Sequence, residues 1–250
     1  MQTLTAGRVR AANAASVPCT VTYLGAAAFA AAAAWFWLAT KGVTVATAPQ
    51  TGPDVAPQQA MRIYYRWFVT TLPQERYYVS IAIAGFLCLA ATAVFLRNLL
   101  GRDRALARTG ALATSAGSLL WITGSVAELG GHRAVGLMAT HVNPIQTTNS
   151  IAFTIDTVTA AFALAGFAMI GAGMLAFAAA AAVQRRRHRA WAVGTFGLAL
   201  VMLATAGSYG AGHDSLSDLM LFAIGVAGLP AWLIGTGRIG GTGDAPPDPR

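Results

Sequence analysis

Two carboxylates and a histidine fall within or beside the long apolar stretches of this 250-residue chain. Asp156 lies inside one stretch, with Asn149 seven residues before it and Thr159 three residues after it, so the three share one helical face. Translocon scales put the cost of an Asp at the centre of a membrane-spanning helix at about 2.5–3.5 kcal/mol. Asp156 is therefore expected to face protein or water, in a functional role, as a structural hydrogen-bonding group or as a neutral acid.

The second carboxylate, Glu128, precedes His132 by four residues, which would place the two side chains on adjacent turns of a helix. Residues elsewhere in the chain that could complete a metal set with them are His141, His213, Asp156 and Asp214. Gly130 and Gly131 lie between the two residues and argue against a continuous helix there. Neither of the metal-binding motifs H-E-x-x-H and H-x-x-x-H occurs. The sequence therefore predicts no metal site, and the histidines are interpreted as loop residues at an interface.

Further polar groups concentrate at one predicted side of the membrane, the outer side. The candidate acid and base residues are Asp156, Glu128 and His213. The candidate ligand-binding residues are Asn149, Trp121, Ser125, His132 and His141. Because no G-x-S-x-G, phosphate-binding glycine loop or paired-thiol motif is present, the sequence leaves open whether the chain is an enzyme.

The composition identifies the class of protein that must position these residues. Hydrophobic residues make up 56% of the chain and charged residues only 10%, far below the roughly 25% of soluble domains. The formal net charge of +8 would raise the question of nucleic acid, but the basic residues lie between apolar runs. The charge therefore indicates membrane topology, and the expected environment is a lipid bilayer with no nucleic-acid partner.

The apolar runs predict an all-α transmembrane bundle of six helices in a single domain over residues 1–239, because about 20 residues of helix cross a bilayer. The predicted spans are residues 19–40, 77–96, 109–128, 150–183, 190–210 and 217–236. One further helix, over residues 58–72, is predicted to lie on the outer membrane surface, since its apolar residues recur at helical spacing. The tail, residues 240–250, is proline-rich and expected to be disordered.

Basic residues set the predicted orientation. Five of the seventeen Lys and Arg residues fall in one set of alternate connections, and the other twelve lie at the termini or in the other set. Since Lys and Arg accumulate on the cytoplasmic side, both termini are predicted to be cytoplasmic. The Ala- and Arg-rich composition with a single Lys is typical of a high-GC bacterial genome, so the expected location is a bacterial inner membrane.

Glycines recur every seven residues through the third predicted span, at Gly110, Gly117, Gly124 and Gly131. Such a seam lets helix backbones approach closely, either within the bundle or between copies in a homo-oligomer.

From the topology and the polar residues together, we expect a multi-pass protein whose outward-facing polar pocket binds a lipid-like or small hydrophobic molecule or a partner subunit. The alternative is a small intramembrane enzyme using acid–base or metal-assisted chemistry on a lipid or isoprenoid.

Overall fold

The computed structural model describes residues 3–40, 48–52, 54–101, 105–140, 145–184, 189–211 and 214–241, with most side chains from residue 19 onward. Every regular element in these ranges is helical, which confirms the all-α class. The elements in chain order are α1 (Thr3–Thr40), α2 (Pro57–Leu99), α3 (Ala105–Thr140), α4 (Ile145–Gln184), α5 (Arg189–Gly210), α6 (Asp214–Ala223), a π-helical turn (Ile224–Gly228) and α7 (Leu229–Gly241). Most of the predicted tail lies outside the described residues.

Five helical segments in the described ranges are long and apolar enough to cross a membrane, so the chain is a multi-pass membrane protein. They are Cys19–Ala39, Pro57–Leu99, Ile145–Val183, Arg189–Gly210 and Leu219–Gly240. The predicted third span is not among them, so the count of six is not confirmed. The reason is that α3, which contains that span, is rich in Gly, Ser and Thr.

The predicted surface helix over residues 58–72 is not a separate element. Those residues form the first part of α2, which continues without interruption through Pro73 and the predicted second span. A proline inside a helix removes one backbone hydrogen bond. Buried residues on both sides of Pro73, from Tyr65 and Leu72 to Val79, hold the helix in one piece.

The last span is also continuous but contains a wider turn. The π-helical turn Ile224–Gly228 ends two residues before Pro230. Pro230 has no N–H to donate and its ring would clash with the carbonyl four residues earlier, so a locally wider turn accommodates it. The sequence predicts a kink at Pro230, and the structure shows this π-helical turn there.

Side-chain packing divides the described residues into two apolar clusters. The main core draws on α1 to α5, the π-helical turn and α7, and includes Phe86, Phe177 and Leu233. A smaller cluster around Tyr65, Val135 and Ile145 contains residues of α2, α3 and α4 alone. We call this second region the outer segment (residues 57–75, 132–139 and 145–156), because it lies outside the main core. The three helices that form it have 43, 36 and 40 residues, against 22 in α5.

The predicted glycine seam packs inside the bundle. A Cβ built on Gly117 would lie 2.5 Å from the Gly166 carbonyl oxygen, and one on Gly131 would lie 2.7 Å from Ile155. Gly110 and Gly124 likewise face α4 residues. The seam therefore allows α3 and α4 to approach closely, as expected for small residues at membrane helix contacts.

Candidate functional site

The site begins at a carboxylate that the sequence interpretation did not single out. Glu75 lies on the buried face of α2, with only 7% of its surface exposed. Its Oε1 atom lies 2.6 Å from Nδ1 of His132 on α3. Glu75 is the one acidic residue between residues 57 and 99, and continuing the buried stripe past Pro73 would have found it.

His132 joins three helices. Its second ring nitrogen, Nε2, lies 3.0 Å from Oδ1 of Asp156 on α4, so the imidazole bridges two carboxylates. The Asp156 side chain is 62% exposed, whereas that of His132 is 13% exposed. Phe68 packs edge-on against the imidazole, with the ring centroids 5.1 Å apart. The ring is thus fixed in orientation between α2 and α4.

Glu128 lies beside this pair. One ligand atom from each of Glu75, Glu128 and His132 lies within 4.8 Å of the others. Glu128 and His132 lie close together because α3 is continuous between them. It runs unbroken through Gly130 and Gly131 to Thr140, where the two glycines were expected to argue against a helix. The inference that the glycines interrupt the helix was wrong. Gly131 packs closely on α4, which supplies a tertiary reason for helix at a residue of low helical propensity. We call Glu75, Glu128, His132 and Asp156 the His132 cluster.

Two cavities adjoin the His132 cluster. The first, of about 440 Å³, lies among the helices and has mainly aromatic and Ala walls, with Glu128 and Asp156 in its lining. Its aromatic walls are Phe29, Phe36, Tyr78, Phe86, Trp121, Phe167, Tyr209 and Phe222. The second, of about 680 Å³, is lined by outer-segment residues including His132 and Asn149. Asp156 borders both.

The remaining candidate residues fall into four groups. Trp121 stacks on Phe86, with centroids 4.2 Å apart, on the wall of the first cavity. Asn149 accepts a hydrogen bond from the Tyr65 hydroxyl and lines the second cavity. Ser125 is buried but lines neither cavity. His141 and His213 lie outside the described residues, so the structure does not place them.

The chemistry available at the cluster is proton transfer or cation binding. A neutral imidazole donates through one nitrogen and accepts through the other, so bridging two ionised carboxylates needs a second proton or another cation. Three carboxylates surround this single imidazole. The cluster therefore places three carboxyl groups and one imidazole at the end of an apolar cavity.

Comparison with other proteins adds no family to this description. The sequence matches no protein-family model, and no curated protein or solved structure matches the chain. The fold and the site define its class as a multi-pass membrane protein with an apolar cavity among its helices and a carboxylate–histidine cluster.

Proposed function

We propose that the chain is a six-span protein of a bacterial inner membrane that binds a lipid-like or small hydrophobic molecule in the 440 Å³ cavity. The observation that carries the proposal is the cavity itself. Its volume falls in the range of small-molecule sites, roughly 300–1,000 Å³, and its walls combine apolar surface with a few polar groups. Glu128 and Asp156 would accept hydrogen bonds from the polar end of the bound molecule.

The sixth crossing in this proposal is α3. It packs along α2 on one side and α4 on the other, and both neighbours are among the five apolar helices. A helix flanked by two crossing helices exposes less of its surface to lipid, so its Gly, Ser and Thr residues are compatible with crossing. Six crossings put both termini on one side, and the basic residues support the cytoplasm for that side.

The exposed residues of α2 support a depth for the cavity within the bilayer. Before Tyr78 these include Arg62, Arg66 and Arg76. After it they include Leu87 and Val94, which are about half exposed. Such a change from charged to apolar exposure supports a membrane boundary near the His132 cluster. The cavity would then lie in the outer half of the bilayer, with the cluster near the outer aqueous phase.

A matched pair of variants on α4 tests the proposal. Ala163 lines the cavity, whereas Ala165, two residues later, is exposed on the outside of the bundle. We expect native mass spectrometry of the detergent-purified protein to show a retained organic molecule in wild type and in Ala165→Phe. Ala163→Phe should lose it, because the phenyl ring fills the cavity. Equal retention in both variants would place the bound molecule elsewhere, and no adduct in wild type would count against ligand binding.

A second candidate function is acid–base chemistry on the bound molecule. It is favoured by the presence of both Glu128 and Asp156 in the cavity lining. Asp156→Asn should then retain the adduct seen in wild type while its chemical turnover stops. If the adduct is also unchanged chemically on incubation with the wild-type protein, binding alone is the function.

A further inference from the structure

His132 contacts a carboxylate at each ring nitrogen, an arrangement that a second proton on the ring or a bound metal ion would stabilise. Nε2 lies 3.0 Å from Asp156 Oδ1 and Nδ1 lies 2.6 Å from Glu75 Oε1, so a neutral imidazole can donate to only one of the two carboxylates. Its other nitrogen then carries a lone pair and faces the oxygen of the second carboxylate. Two electron-rich atoms at either separation need a positive charge between or beside them.

The geometry points to a metal ion: we propose that Glu75, Glu128 and His132 form a site for one divalent transition-metal ion, with Zn²⁺ as its representative. Imidazole and carboxylate are ligands that Zn²⁺ accepts, and three protein ligands leave a coordination position open. Two ligand atoms of a tetrahedral zinc ion lie about 3.3–3.6 Å apart, from bond lengths of 2.0–2.2 Å. The 2.6 Å between Glu75 and His132 would therefore have to widen by about 1 Å, and separations near 4.8 Å would have to shorten by about as much.

Asp156 has the position of the residue that orients a metal-bound histidine. Histidine ligands usually donate their other ring N–H to a carboxylate or carbonyl, which fixes the tautomer and strengthens the ligand. The His132–Asp156 contact matches this pattern, and Asp156 comes from a different helix than any of the three ligands. Asp156 is therefore proposed as a positioning residue and not as a ligand.

The surroundings of the site also suit an ion. Glu75 is buried, so its charge requires compensation that surface water does not supply. His132 lines the outer of the two cavities, which gives an ion a path from the outside. Glu128 lines the inner cavity, so the open coordination position would be next to it. The metal proposal stands whether or not that cavity holds an organic molecule.

The test is metal binding by the purified full chain after removal of any affinity tag and treatment with a chelator. Titration with Zn²⁺ should show one ion per chain, and X-ray absorption of the loaded wild type should show one imidazole among oxygen ligands. Glu75→Gln and His132→Asn should lose stoichiometric binding. Asp156→Asn should weaken the affinity about 10–100-fold, as expected for removal of an orienting partner.

Asp54→Asn is the matched control, because it removes an exposed carboxylate outside the His132 cluster and should leave binding unchanged. Wild-type protein that takes up no stoichiometric Zn²⁺ or Co²⁺ would overturn the proposal and leave a protonated imidazole as the solution. Binding that survives in His132→Asn would overturn it equally. The wild-type measurements decide the question even if a cluster variant fails to fold.

Discussion

The main core and the outer segment share helices α2, α3 and α4 but are packed by different means. In the main core, α3 and α4 meet along glycines, whose lack of a side chain allows the two backbones to approach closely. Residues of further helices pack against both. In the outer segment, α2, α3 and α4 pack around Tyr65, Val135 and Ile145. Three members of the His132 cluster, Glu75, His132 and Asp156, belong to the outer segment, whereas the main core is apolar. The main core therefore holds the bundle together, and the outer segment carries most of the ionisable groups.

The largest expected effect is in the main core. Phe177 is fully buried and fills the space beside Gly110. Phe177→Ala should lower the free energy of unfolding by about 3–5 kcal/mol, because a truncated buried aromatic leaves a cavity. Denaturant titration in detergent or bicelles would measure it. A loss below about 1 kcal/mol would show that the packing described for this helix pair does not limit stability.

The next effect distinguishes the two kinds of glycine on α3. Gly117→Ala would place a methyl group 2.5 Å from a backbone carbonyl oxygen that cannot move freely, so we expect a loss of about 1–3 kcal/mol. Gly130 has open space at the same point, and Gly130→Ala should be neutral or stabilising by up to about 1 kcal/mol. The melting temperatures of the two variants, compared with that of the wild type, measure this difference in stability. Equal losses would mean that the seam is not a contact surface.

The sequence predicted the apolar part of this architecture well because its signals are local. Run length and the spacing of glycines depend on neighbouring residues, and the seam contacts of Gly110, Gly117, Gly124 and Gly131 confirm that prediction. The surface helix was predicted to end at residue 72 because its apolar residues at helical spacing stop there. In the structure α2 continues through Pro73, and Glu75, three residues past the predicted end, lies on the same buried face.

The His132 cluster was predictable only in part. Glu128, His132 and Asp156 stood out as ionisable groups beside apolar runs, but their distances depend on the register of α2 against α3 and of α3 against α4. That register comes from contacts such as Gly136 against Leu72, which no single stretch of sequence contains. The doubt about a continuous helix at Gly130 and Gly131 was wrong: Gly131 packs on Ile155 of α4, and α3 stays helical at Gly130 although the space beside it is open.

The smallest expected effect is in the outer segment. Tyr65→Phe removes a hydroxyl that donates to Asn149, a bond of 3.1 Å, and should cost about 0.5–1.5 kcal/mol. Because the outer cluster involves only three helices, we expect the change to appear as faster hydrogen exchange at residues 57–72 with little change in global melting. Uniform acceleration across the main core would show that the two regions unfold as one unit.

The most direct test of the account is the position of the outer membrane boundary on α2, which decides whether the His132 cluster can exchange ligands with the outer phase. In a background lacking Cys19 and Cys88, single cysteines at the exposed positions Arg66, Arg76, Ala84 and Leu87 are treated in intact cells with an impermeant maleimide. If the boundary lies near the His132 cluster, we expect labelling at Arg66 and Arg76 and none at Ala84 or Leu87. Labelling at Leu87, or none at Arg66, would contradict it.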